Sequence, residues 1–150
     1  FSDWAVKGQR INQQLVDMVD ADTDAFNKIM DAFRMPKGTE KEEEIRKQAI
    51  QDATKHAIEV PFKVMELALS SFEVLKAMAD IGNPNSVTDA GVGALCARTA
   101  VIGAHLNVKI NAADLYDEAW KNDMLSKAQI IEQQAIESER EILEIVASKI

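Results

Sequence analysis

Cysteine, histidine and basic residues are all in short supply in this chain of 150 residues, and each shortage removes a class of structure or chemistry. Cys96 is the single cysteine, so no intramolecular disulfide can form, and a reducing, cytoplasmic location is expected. His56 and His105 are the only histidines, and with one cysteine they cannot assemble a common structural zinc site or a redundant Cys–His–Asp triad. No metal and no cofactor is therefore expected. The 17 Lys and Arg residues are outnumbered by 25 Asp and Glu, giving a formal net charge of −8. That balance opposes nucleic acid and anionic membranes, both of which require a positive surface. A small anionic ligand stays possible, because a local cluster can oppose the global sign. No run approaches the ~18 consecutive apolar residues of a membrane span. No signal-peptide pattern is present, and Phe1 in place of Met leads one to expect a fragment or processed chain. Strict alternation, hairpin signals, fixed-period repeats and low-complexity linkers are also missing.

What is present is helical periodicity. At 47% hydrophobic residues, one domain with one core is expected. A first helix is predicted over residues 3–34 and is broken at Met35-Pro36-Lys37-Gly38-Thr39. Thr39 and Glu42 form a capping box that opens the next helix, and Glu40 to Glu44 place acid at its positive end. Pro61 is expected to kink or split that helix. Residues 62–81 are apolar around most of the circumference, the mark of a helix central to a bundle or covered by a partner subunit. Gly82-Asn83-Pro84-Asn85-Ser86 is a loop, and Ser86 with Asp89 reads as a second capping box opening a helix to about Val108. One face of that helix carries Gly93, Ala97, Ala100, Gly103 and Ala104, small enough for another helix or a flat ligand to approach its axis. A final helix is expected from about Asn111 or Asp114 almost to Ile150, with a heptad-like stripe of Leu125, Ala128, Ile131, Ala135, Ile142 and Ile145. Its charges, Glu137, Glu139, Arg140 and Glu141 among them, read as a solvated face. The fold class is all-α, an antiparallel bundle of four to six helices, and a dimer is expected.

Asp22 breaks the pattern of the first helix. Leu15, Met18, Val19, Phe26, Ile29 and Phe33 fall within about 60° of it around the axis, whereas Asp17, Asp20, Asp24 and Asp31 project to the opposite side. A carboxylate in an apolar seam resists ionising, and a neutral carboxylic acid near pH 7 can donate a proton. The alternative is an aspartate that reaches past the seam edge or pairs with a buried partner.

Several segments resemble the cyclodeaminase/cyclohydrolase family. These are Val19-Asp20-Ala21-Asp22 followed by Ala25-Phe26, Arg34-Met35-Pro36-Lys37, and Val60-Pro61 with Glu66. The run from Gly82 to Val92 is similar, and so is Gly103-Ala104-His105-Leu106-Asn107-Val108-Lys109-Ile110-Asn111, with Asp114 and Trp120 following. Collinear matches cover roughly residues 15–123. The family's glycine-rich Pro-Gly-Gly-Gly-Ser segment does not occur here, so the chain is expected to be the C-terminal three quarters of such a domain, with part of the pocket elsewhere.

The resemblance implies a dimeric helical enzyme acting on a tetrahydrofolate derivative in one-carbon metabolism or histidine degradation. It also implies a formiminotransferase domain, fused or separate, as a possible partner. It assigns the proton donor to Asp22. The implied reaction converts 5-formiminotetrahydrofolate to 5,10-methenyltetrahydrofolate and ammonia. The alternatives are methenyltetrahydrofolate cyclohydrolase and a non-catalytic dimerisation module. Glu66, Asn83, Asp89, Asn107 and Asn111 are candidate substrate-binding residues. Capping is the competing role for Asn83, Asp89 and Asn111, and a plain polar strip for Glu66. Lys7, Arg10, Arg98 and Lys109 are candidates for the anionic tail of the folate. Cys96 reads as a small core residue.

Overall fold

Four long helices account for nearly all of residues 2–150, the part of the chain described by the computed structural model. Helix α1 spans Ser2–Arg34, α2 Glu40–Ile81, α3 Val87–Ala112 and α4 Glu118–Ala147. No strand occurs among the described residues. Each helix runs antiparallel to the next. Lys7 reaches Glu73 while Arg46 donates to the Phe33 carbonyl, and Arg98 meets Glu139 while His105 meets Glu132.

The 42-residue α2 is the axis of the bundle: α1, α3 and α4 all pack against it, and α3 and α4 pack on each other. This settles residues 62–81 as a central helix within the protomer. The Thr39 hydroxyl accepts from the Glu42 N–H and the Glu42 carboxylate accepts from the Thr39 N–H, as the capping box requires. At the other end no basic residue lies in the last turn of α2; Lys149 instead donates from beyond α4 to the Ala79 and Asp80 carbonyls, both at 2.6 Å.

Pro61 neither splits α2 nor ends it. A proline has no N–H to give the carbonyl four residues back, here that of Ala57, and an interior proline ordinarily costs ~3 kcal/mol or more. The Asn111 side chain supplies the missing donor, Nδ2 to the Ala57 oxygen at 2.8 Å. Asn111 is therefore not the N-cap of the last helix. That cap is Asp117, which accepts from the Trp120 N–H, and α3 runs on to Ala112 instead of ending at Val108.

Three further expectations change. Ser86 makes no side-chain cap; a 3-10 turn at Pro84–Ser86 precedes α3, and Asn83 caps that turn by accepting from the Asn85 N–H. Glu139 is not on a solvated face, being buried beside Arg98 at 3.1 Å. Cys96 is exposed and not in the core. Helix α3 has the length and mean hydropathy, 1.2 over its best window, that a bilayer-crossing helix also has. Its apolar side chains are used by the bundle: Ala94, Val101 and Val108 lie fully buried against α2 and α4.

Two cores of unequal size result. The main one gathers Ile58, Met65, Phe72, Val101, Val108, Leu115 and Ile142 between α2, α3 and α4. Large side chains of this kind contribute roughly 1.5–3 kcal/mol each on burial. The second, where α1 meets α2, is built of Ala25, Ala57 and Val60 with Ala21 and Ile29 alongside. Alanines bury little area, so α1 is the most weakly held helix, and its seat depends on backbone position more than on side-chain bulk.

The α3–α4 connection is tied to α2 by polar contacts. Gln51 donates to the Asp114 carbonyl and accepts from the Tyr116 N–H, while Lys55 pairs with Asp117 at 2.7 Å. The hydrogen bond from Lys55, with that from the Trp120 N–H, holds the Asp117 carboxyl below its ordinary range. A depressed folded-state value means this contribution is present above the unfolded pKa of about 3.9 and is lost as pH falls through the folded value. Asp117→Asn keeps an N-cap and removes the charge, so it should lower the unfolding temperature at pH 7. The gap to the unmodified protein should close below about pH 4 in a thermal-melt series.

Candidate functional site

Helical phase divides the first helix into three strips. Ile11, Ala25 and Ala32 are buried against α2. Val19 at 66%, Phe26 at 60% and Phe33 at 50% stay exposed in the protomer. Asp22 lies on the boundary between them and is itself exposed. The apolar stripe is wider than the contact α1 makes, so the expected burial of Asp22 inside a core seam does not occur in the protomer.

The boundary strip faces a groove. Gly8, Ile11, Asn12 and Leu15 of α1 form one wall and Gly93, Cys96, Ala97 and Ala100 of α3 the other, around a cleft of about 380 Å³. Ala68, Ser71, Val74 and Leu75 of α2 form its floor. Asp22 and Phe26 share the helical phase of the first wall and continue it by about two turns. Gly103, Asn107 and Asn111 continue the second wall in the same way.

The heights agree as well. Ala21 and Ala25, on either side of Asp22, pack on Ala57 and Val60, and Asn111 donates to the Ala57 carbonyl. Asp22 on one side and Asn107 with Asn111 on the other thus lie level with the Ala57–Pro61 turn, beyond the residues that line the groove. These three candidates share one level of the bundle. Asn107 is exposed, whereas Asn111 is half-buried with its amide N–H engaged.

The other three lie elsewhere. Glu66 pairs with Lys63 at 3.0 Å and lines a separate cleft of about 610 Å³ between α2 and α4 with Phe62, Met124, Lys127 and Ile130. Asn83 and Asp89 line a smaller cleft where α2 turns into α3, at the far end of the bundle. Among the cations, Lys7 is taken by Glu73 and Arg98 by Glu139. Arg10 and Lys109 are exposed, and phase turns both away from the groove.

The small residues of α3 serve two purposes. A Cβ on Gly93 would come within 2.5 Å of the Leu75 side chain, so the helices pack closely there and Leu75 must shift to admit one. A Cβ on Gly103 would meet nothing within 4 Å, so there the missing side chain leaves the groove wall low. Sequence periodicity missed two polar pairs that fasten the back of α3 to α4. His105 is 1% exposed and donates from Nδ1 to Glu132, and buried Glu139 faces Arg98. The signal was available in the case of His105, which shares the helical phase of Val101 and Val108 within about 60°.

A family model described as formiminotransferase-cyclodeaminase matches residues 1–130. A methenyltetrahydrofolate cyclohydrolase of Methylorubrum extorquens is 32% identical over 96% of this chain and 69% of its own length. A formimidoyltransferase-cyclodeaminase of Gallus gallus is 41% identical over 73% of this chain, and the match spans 20% of its own length. The crystal structure of a formiminotetrahydrofolate cyclodeaminase from Thermotoga maritima has the same fold, with a TM-score of 0.79 at 24% identity. That likeness covers 93% of this chain and 66% of the other.

The glycines separate packing from groove shape in a simple measurement. Gly103→Ala should stabilise the protein by roughly 0.5–1 kcal/mol in denaturant unfolding, because an exposed mid-helix glycine is replaced without a clash. Gly93→Ala should gain less or lose stability, since Leu75 must move.

Proposed function

The chain belongs to the formiminotransferase-cyclodeaminase family, and on that premise we propose that it carries the catalytic groove of a formimidoyltetrahydrofolate cyclodeaminase, with Asp22 as general acid. The observation that carries this reading is that Asp22 and Asn107 stand at the level of the Ala57–Pro61 turn, on the two helices that wall an apolar groove. A pterin is flat and hydrogen-bonds along its edge. A groove with a low wall at Gly103 and an amide at Asn107 suits such a ring.

The chemistry needs little else. N10 of the folate adds to the formimino carbon, and the N10 proton moves to the former imine nitrogen. The resulting carbon bears an amino group that cannot leave as an anion. A proton from the Asp22 carboxyl converts it to ammonia as the C–N bond breaks, and the N5 lone pair closes the methenyl cation. Positioned proton donors of this kind contribute ~10²–10⁴ in rate, and holding N10 against the carbon contributes further. Asp22 must be protonated to act. Neighbouring Leu15, Val19 and Phe26 provide an apolar surround that a bound ring would complete, excluding water from the carboxyl.

A second reading is methenyltetrahydrofolate cyclohydrolase, favoured by the relative of that name whose alignment takes in 96% of this chain. There water adds to the methenyl carbon, and the Asp22 carboxylate takes its proton. The two readings share the groove and the residue and differ in the direction of proton transfer. In either, a homodimer covers the exposed Val19, Phe26 and Phe33, and a formiminotransferase unit, fused or separate, is the natural supplier of the formimino substrate.

The two activities separate in one assay series. Ammonia release with rising methenyl absorbance from 5-formiminotetrahydrofolate supports the deaminase, while loss of that absorbance from added methenyltetrahydrofolate supports the cyclohydrolase. Asp22→Asn should keep the helical fold and lower kcat by ~10²-fold or more. Near-normal turnover by the variant would remove Asp22 from the mechanism.

A further inference from the structure

A carbonyl freed inside a helix must find a donor or pull the helix open towards water. Pro61 frees the carbonyl of Ala57 in this way, and the donor comes from a different helix, the Asn111 amide of α3 at 2.8 Å. The same turn of α2 carries Ala57 and Val60, the seat of Ala25 and Ala21 on α1. Asp22 projects from between those two alanines. The contact is made mostly by short side chains, Ala21 and Ala25 on Ala57 and Val60 with Ile29 alongside, so little side-chain length is available to absorb a backbone shift at Ala57. A displacement of that turn passes directly to the helix segment that carries the acid.

We infer that Asn111 is a positioning residue and not a substrate contact: by satisfying the Ala57 carbonyl left free by Pro61, it fixes the turn of α2 on which the Asp22 segment of α1 rests. Its consequence for turnover rests on the folate reading above; its consequence for α1 does not. The arrangement also accounts for a proline inside the central helix. With an ordinary residue at 61, the Ala57 carbonyl would be satisfied within α2 and α3 would have no polar hold at this height. With proline there, the Asn111 bond ties α3 to the turn of α2 on which α1 is seated.

The test is a cycle of four proteins: unmodified, Asn111→Leu, Pro61→Ala, and the double variant. Pro61→Ala restores an N–H to residue 61 and so an in-helix partner for the Ala57 carbonyl, making the Asn111 amide dispensable. Two readouts are taken on each protein. The first is amide hydrogen exchange over residues 18–26 without substrate, and the second is kcat and KM in the folate assay. Asn111→Leu alone should speed exchange across that segment and lower kcat by about 10–100-fold, with KM moving less than about threefold, the signature of a misplaced catalytic group. The double variant should return to the exchange and kcat of Pro61→Ala.

A raised KM that persists in the double variant would make Asn111 a substrate contact and overturn the inference. So would unchanged exchange and kcat in Asn111→Leu. If Asn111→Leu does not fold, the double variant decides: folding and turnover like Pro61→Ala support the tether, and failure to fold sinks it. If the unmodified protein converts neither folate, the functional reading is what fails, and the exchange measurement still decides the tether.

Discussion

The bond from Asn111 to the Ala57 carbonyl is the constraint on which most of the architecture depends. A net hydrogen bond contributes about 0.5–1.5 kcal/mol, yet leaving the carbonyl bare and buried costs about 1–3 kcal/mol. Pro61 makes the second situation unavoidable unless α3 supplies a donor. The proline is itself buried in an uninterrupted helix, so water is not a ready substitute. The 42-residue α2 can therefore run through its proline only in the presence of α3. Helix and bundle are mutually dependent, and the dependence falls at the height of the candidate acid.

Much of the fold was legible because it obeys period and punctuation. The all-α class, the break at residues 35–39, the Thr39–Glu42 capping box and the central role of residues 62–81 follow from patterns local in sequence. What was not legible was long-range. Pro61 reads as a kink or a split because local rules disfavour proline inside a helix, and its remedy lies fifty residues later in a side chain that locally reads as a cap. Ser86 and Asp89 match a capping box in sequence, but the 3-10 turn at Pro84–Ser86 leads the chain into α3 without that side-chain cap. Glu139 looks solvated on a charge-rich helix until Arg98 of α3 is placed beside it.

The site shows the same division. The anomaly of Asp22 is real in sequence, since it does interrupt an apolar stripe. Periodicity cannot say whether a stripe faces a core or an opening, and here it straddles the two: Ala25 is buried and Phe26 exposed. The pairing of Asn107 with Asn111 on one helix face was also legible. Their different employment was not, because it depends on the level of Pro61 across the interface.

In its proposed role, an acid exposed on one wall of an open groove must be dry when it acts and reachable when the ligand enters. In the protomer the apolar strip beside Asp22 has no cover, and Val19, Phe26 and Phe33 stand at 50% exposure or more. Covering three such side chains contributes roughly 1.5–3 kcal/mol each. Association costs an estimated 4–15 kcal/mol in lost freedom, so the strip alone offsets only the lower part of that range. The outer face of α3 beside the groove adds Val92, Leu106 and Ile110, exposed at 58%, 60% and 72%. With both faces covered, the apolar gain roughly doubles and offsets most of that range. In the proposed homodimer, a cover that spans both walls of the groove would close over Asp22 as a consequence of assembling. The apolar neighbours that make the residue anomalous in sequence would then also hold that assembly together.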